Sequence, residues 1–229
     1  MVTALPAPGA LVFDLDGTLV DTVPVRIAAW LAAFAAAGIE ASRDELAPMI
    51  GSDGRRLARE IAAAHARDLD ADATEALDRH AGELHDQLNR DPQPLPGARE
   101  LLDALERHGV TWAIATSSRR EQVRASIAAL RLGHEPLIVD GSHVEHAKPA
   151  PDLLLLAARQ LRLAPETCWY IGDATWDMRS AVAAGMPAIG VTAGAAVDRD
   201  ALRRAGASVV CETLDEVRQL LEGAPRQPE

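Results

Sequence analysis

Asp14 and Asp16 stand two positions apart where the apolar run Ala10-Leu11-Val12-Phe13 gives way to Asp14-Leu15-Asp16-Gly17. On an extended backbone that spacing points both carboxylates the same way. One can attack an electrophile while the other handles a proton. Asp173, in the stretch Gly172-Asp173-Ala174-Thr175-Trp176-Asp177, adds an oxygen ligand suited to Mg2+, which takes a few carboxylates and keeps water at its other positions. Thr116, in Thr116-Ser117-Ser118, offers a hydroxyl to an anion, and Gly17 lets backbone N–H groups approach closely. Lys148 is the single lysine among 23 Lys and Arg residues and precedes a Pro-Ala-Pro-Asp turn. These groups together equip a site for a phosphoryl group.

Each group alone has a commoner reading. An Asp-Gly pair after a strand is usually a turn, Thr-Ser-Ser a helix cap, and a lone lysine a solvated cation. Their occurrence in this order, all near strand ends, argues against four coincidences.

The elements that must position them follow from hydrophobic periodicity. The run at 10–13 reads as a buried strand. Pro24 suits a first helical turn, with Ile27, Trp30, Leu31 and Phe34 on one face and Gly38 as the stop. From about 22 to 90 the pattern is helical throughout. Ser42 and Glu45 fit a capping box, Leu57 and Ile61 sit four apart, and Leu77, Ala81, Leu84 and Leu88 keep helical spacing. Asp91-Pro-Gln-Pro-Leu-Pro-Gly97 is a stiff connector. Beyond it helices alternate with short apolar strands: helix 98–108, strand 110–115, helix 119–131, strand 137–139, helix 151–161 and strand 168–171. The alternation continues through helix 177–184, a strand near 188–191, helix 199–205, strand 208–210 and helix 213–222. Such alternation predicts an α/β fold, a Rossmann-like parallel sheet core over 1–21 and 92–229. An all-helical cap over 22–91 is inserted after the first strand. Ligands of such sheets bind outside the carboxyl ends of the strands, where the polar groups collect.

A net charge of −11 argues against nucleic-acid or anionic-membrane partners. It does not exclude an anionic substrate, because a metal ion and oriented amides can reverse the local field. Cys168 and Cys211 make no disulfide framework and read as core residues of a cytoplasmic protein. The start, MVTALPAPGALVF, lacks the basic flank of a signal peptide. The closing GAPRQPE is expected to fray, and a monomer is the default state.

FDLDGTLVDT, ATSS, AKPAPD and IGDATWDM resemble, in order, the four motifs of the haloacid dehalogenase superfamily. The helical insert resembles the cap of its phosphoglycolate phosphatase and β-phosphoglucomutase-like branch. The resemblance covers roughly Ala10 to Leu221. It implies Asp14 as the nucleophile that takes up the phosphoryl group, with Asp16 as acid and then base. It implies Mg2+ held by Asp14, the carbonyl of Asp16 and Asp173, with Asp177 in the next shell positioning Lys148 or a metal-bound water. Thr116 and the amides of Ser117 and Gly17 would bind phosphate oxygens, and Lys148 would bridge Asp14 and the phosphate. Ala147 replaces a frequent glycine, and Trp176 is less usual and is expected to shape the pocket wall.

The presence of Asp16 favours a phosphate ester over a halo-acid. A cap without lysine excludes the Schiff-base chemistry of phosphonoacetaldehyde hydrolase. The expected function is Mg2+-dependent hydrolysis of a small phosphorylated metabolite, resembling phosphoglycolate or a sugar phosphate. A β-phosphoglucomutase-like mutase is the alternative, and a non-catalytic binding protein on the same fold the reading from another class. Arg55 and Arg56, in the cap stretch 50–56, are candidates to read a second anion or a substrate carboxylate. The hinges are expected at 20–22 and 91–96.

Overall fold

Residues 5–224 are described in the computed structural model of the chain. Six parallel strands form one sheet: β1 (Ala10–Phe13), β2 (Thr111–Ala115), β3 (Leu137–Val139), β4 (Cys168–Gly172), β5 (Ala188–Val191) and β6 (Val209–Cys211). Their spatial order is β3-β2-β1-β4-β5-β6, so β1 is central and the winding reverses at its border with β4. In doubly wound sheets that reversal opens a crevice at the carboxyl ends of the strands.

Alternation along the strands builds two cores. Leu11, Phe13, Trp169 and Ile171 face helices α5 (Ala98–Arg107), α6 (Arg120–Leu130) and α10 (Leu214–Glu222). Ala10, Val12, Cys168 and Tyr170 face α7 (Asp152–Leu161), α8 (Thr175–Ala184) and α9 (Arg199–Arg204). A sheet covered on both faces needs apolar residues at every position, which is why β1 reads as a continuous apolar run. Truncating Leu11, which has no exposed surface, to alanine would cost about 2–5 kcal/mol. Both cysteines are free and buried.

Between β1 and α5 the chain forms only helices: α1 (Val23–Ala36), α2 (Arg43–Leu46), α3 (Gly54–Ala64) and α4 (Ala71–Leu88), with a 3-10 turn at Ala47–Met49. Pro24 sits in the first turn of α1. Gly38, at φ +71°, lets Ile39 N–H turn back to the Phe34 carbonyl at 2.9 Å and close the helix. Ser42 and Glu45 form the expected capping box. In α4 the buried face departs from the expected stripe. Leu77 and Ala81 are buried, but Leu88 is 53% exposed and His85 occupies the inner position four residues after Ala81. The two chain crossings lie side by side, with Asp21 N–H on the Gln93 carbonyl and Leu95 N–H on that of Leu19, both at 2.9 Å.

Strand β4 runs one residue further than its apolar run, to Gly172, and α8 starts two residues early, at Thr175. The early start has a local cause: Asp177 accepts the Ala174 N–H at 2.9 Å and caps the first turn. Among the described residues no helix is long and apolar enough to cross a membrane. Most of the closing GAPRQPE lies outside the described residues.

Candidate active site

Asp14 follows β1, Thr116 follows β2 and Asp173 follows β4, so three neighbouring strands deliver them to one edge. Lys148 arrives from the loop before α7 and is fully buried. Its ammonium bonds the Asp14 carboxylate directly and reaches Asp177 at 2.8 Å. It also lies 5.3 Å from the centre of the Tyr170 ring, on the face that attracts cations. The Tyr170 hydroxyl is 3.1 Å from Asp177 and 3.2 Å from the Ala115 carbonyl. Asp177 is therefore a fixed post, held by α8 and Tyr170 and holding Lys148.

Burial raises the pKa of Asp14 against the pull of the Lys148 ammonium, and the Asp177 and Asp16 carboxylates add to the rise. Asp173 is pushed up by burial and then by Asp177 and Asp14, with the Thr18 hydroxyl, 3.0 Å away, opposing. Burial disfavours the Lys148 charge, but Asp14 and Asp177 outweigh it and hold the ammonium protonated. Carboxylate oxygens of Asp14, Asp173 and Asp177 lie within 4.8 Å of one another, all buried. Three carboxylates against one ammonium leave surplus negative charge in a desolvated space, and an all-oxygen donor set suits a hard divalent cation. The cluster fits such an ion, with Asp177 already engaged by Lys148.

Asp16 points away from this cluster toward the cap. Burial would raise its pKa, but the Arg26 guanidinium, 2.8 Å away, lowers it to about 2, helped by His85 and by hydroxyls of Ser118 and Thr22 at 2.7 Å. Gly17 adopts φ +84°, and a Cβ there would overlap the Asp173 carboxylate. Its N–H, expected to face phosphate, donates to the Val20 carbonyl at 2.8 Å; the glycine serves close packing against the acid.

A cavity of about 60 Å3 lies between sheet and cap, walled by Asp14, Asp16, Thr116 and Ser117 on the core side. Arg26, Ile50, Gly51 and His85 are among its cap walls. An open crevice at strand ends, a buried Lys-Asp pair and an acidic cluster now stand on one edge. The family of haloacid dehalogenase-like hydrolases matches residues 11–191.

The chain belongs to the haloacid dehalogenase-like hydrolases.

It is similar to an N-acetylmuramic acid 6-phosphate phosphatase of Pseudomonas putida, 32% identical over 94% of this chain and 96% of that one. A fructose-1-phosphate phosphatase of Escherichia coli is 34% identical over 79% of this chain and 95% of its own length. The crystal structure of a hydrolase from Pseudomonas syringae superimposes with a TM-score of 0.89 at 33% identity, over 94% of this chain and 99% of that one. The hydrolase is thus an enzyme whose relatives are phosphatases.

The structure brings Asp14, Asp16, Thr116, Ser117, Lys148, Asp173 and Asp177 together in and behind this crevice. It places Arg55 and Arg56 elsewhere. Arg55 turns to Asp53 at 3.4 Å, and Arg56 pairs with Glu60 at 2.6 Å. Arg56 also lies over one face of Trp176 at 4.7 Å, with Arg179 4.9 Å from the same ring. Trp176 is absent from the cavity wall. It is buried in the apolar cluster of the cap, with its Nε1 donating to the Pro48 carbonyl at 2.8 Å.

Sequence reasoning missed Arg26, His85, Ser118 and Tyr170. Ser118 had a signal, standing two residues after Thr116 at a strand end. Tyr170 also had one, as the lone tyrosine within a strand of otherwise apolar residues.

Proposed function

We propose that this hydrolase is a Mg2+-dependent phosphatase of a small phosphorylated metabolite, working through an aspartyl-phosphate on Asp14. The observation that carries the reading is the Asp14 carboxylate, fixed on one oxygen by buried Lys148 at the mouth of a crevice walled by Thr116 and Ser117. Its second oxygen receives no donor among the described residues, which leaves it free to attack phosphorus. Attack splits one hard displacement into two easier ones. Lys148 and the Thr116 hydroxyl stabilise charge on the transferring group, which needs positioning and electrostatics more than covalent help. Mg2+ would be held by Asp14, Asp173 and the carbonyl of Asp16, and supplies charge neutralisation for the phosphoryl oxygens.

Asp16 is ionised at neutral pH, the form a base needs to activate water against the phosphorylated Asp14. Its acid half, protonating the leaving oxygen, requires it first to leave Arg26 and take up a proton from solvent, because the ion pair holds it ionised. Two cap cations that could grip the second phosphate of a mutase intermediate, Arg55 and Arg56, lie outside the cavity, which supports hydrolysis over isomerisation. The test is a phosphate-release screen with and without Mg2+ across phosphoglycolate, sugar phosphates and nucleotides, with β-glucose 1-phosphate isomerisation included. Metal-dependent release that disappears in a folded Asp14→Asn variant is expected. Release that survives that substitution rules out the aspartyl-phosphate route.

A further inference from the structure

We propose that His85 and Arg26, one from each long cap helix, read a hydroxyl group next to the phosphoester, so the substrate is a polyol or sugar phosphate rather than a carboxylate-bearing one. The proposal rests on the phosphatase reading above and deepens it.

The starting point is an accounting failure at the inner end of α4. The His85 side chain is 1% exposed, yet neither ring nitrogen has a hydrogen-bond partner among the described residues. Nδ1 lies 3.7 Å from Asp86, outside hydrogen-bonding reach. Opposite, the terminal nitrogen of Arg26 donates to Asp16 at 2.8 Å and to Ser118 at 3.0 Å, while its Nε is buried without an acceptor. Buried polar groups are nearly always partnered, and each one left alone is destabilising. The fold alone has no use for that cost. His85 continues the apolar face of Leu77 and Ala81, where an aliphatic side chain would pack α4 onto α1. Both residues line the cavity that holds Asp14 and Asp16, so what they lack is met there by a ligand.

The donor and acceptor pattern selects the ligand. Burial, and then the neighbouring Arg26 charge, hold the imidazole neutral, with a pKa near 3. A neutral imidazole presents one N–H donor and one bare nitrogen acceptor. A carboxylate carries no proton for the bare nitrogen. It would also sit beside Asp16 and Asp78, which wall the same cavity, while the Arg26 charge is already opposed by Asp16. A hydroxyl accepts from the ring N–H or donates to the bare nitrogen, and a vicinal one accepts from Arg26 Nε. Two adjacent hydroxyls therefore satisfy one imidazole nitrogen and Arg26 Nε without adding charge.

The experiment compares kcat/KM for three esters of similar size: glycerol 1-phosphate, propyl phosphate and phosphoglycolate. Wild type is expected to favour glycerol 1-phosphate over each of the others by at least about tenfold, the worth of one or two hydrogen bonds. His85→Phe should bring the glycerol-to-propyl ratio toward one. His85→Gln, which restores one donor and one acceptor, should keep most of it. Equal rates for the three esters, a preference for phosphoglycolate, or an unchanged ratio in folded His85→Phe would each overturn the proposal. The wild-type comparison and His85→Gln decide it even if the phenylalanine variant fails to fold. Hydrolysis of all three without discrimination leaves the phosphatase reading standing. Failure to hydrolyse any ester, p-nitrophenyl phosphate included, removes that reading and this one with it.

Discussion

The Lys148 ammonium donates to Asp177 at 2.8 Å while also bonding Asp14, so one compact cation ties the end of β1 to the first turn of α8. Nothing of Lys148 is exposed, and the Tyr170 ring occupies one side of it. A guanidinium is wider, planar and disposed to pair with one carboxylate in two-pronged fashion. Lys148→Arg is therefore expected to lower kcat by at least about a hundredfold, on the scale of losing one oriented charge in the transition state. Near-normal turnover in that variant would show that the site has room for a fork. Lys148→Met should also destabilise the protein by about 3–5 kcal/mol, because it strands buried carboxylates. Added Mg2+ should recover part of that loss, and urea titrations with and without the metal measure it.

Tyr170 and Lys148 share one oxygen of Asp177, and Tyr170 does not line the cavity. Tyr170→Phe keeps the ring under the ammonium and removes one hydrogen bond, worth about 1 kcal/mol. The expected result is a several-fold fall in kcat with KM nearly unchanged, since the substrate does not meet this residue. A matching rise in KM instead would mean that Tyr170 shapes the substrate pocket.

The gathering of the candidate site's side chains at one edge of the sheet was largely legible in the sequence. Parallel strands buried on both faces must be apolar at each position, so their ends show in the sequence as abrupt changes of chemistry, at Asp14, Thr116 and Asp173. Lys148 stood out through composition alone. The cap was legible as helices but not as a wall. Arg26 and His85 look like polar punctuation on amphipathic helices until α1 and α4 are laid together over β1. Arg55 and Arg56 carried the visible charge, yet Asp53, Glu60 and Trp176 draw them off, a competition that only three-dimensional neighbours reveal. Leu88 misled because the spacing was right while the helix end outran the core that would have covered it.

Trp176 belongs by sequence to α8 and by packing to the cap, whose apolar cluster it completes. Its indole bonds Pro48, and two guanidiniums lie over its ring. Trp176→Ala should cost about 3 kcal/mol or more, as large-to-small changes at buried tryptophan do. Because the lost contacts join cap to core, the variant should also raise KM and quicken protease cleavage at the 91–96 connector. A loss of thermal stability with KM and cleavage unchanged would assign Trp176 to local packing only.

His85 gives the protein an acid-labile window of known sign. Its pKa falls from the ordinary 6.5 to about 3 because burial, then Arg26, disfavour the imidazolium. The unfolded chain takes up a proton below pH 6.5, while the folded chain takes it up only near pH 3. The His85 contribution to stability is therefore full above pH 6.5 and falls as pH drops toward 3, by about 1.4 kcal/mol per unit. Between pH 6 and 4 that amounts to about 3 kcal/mol. Asp16 acts in a separate window: its depressed pKa adds stability that is lost only between its ordinary 3.8 and about 2. Urea midpoints read from pH 7 to 4 should therefore fall more steeply for wild type than for His85→Gln, in which the opposing contribution of Asp14, raised to about 7 by burial, remains. Equal slopes in the two proteins would show that the folded protein accommodates the imidazolium, and that His85 is not sealed from solvent.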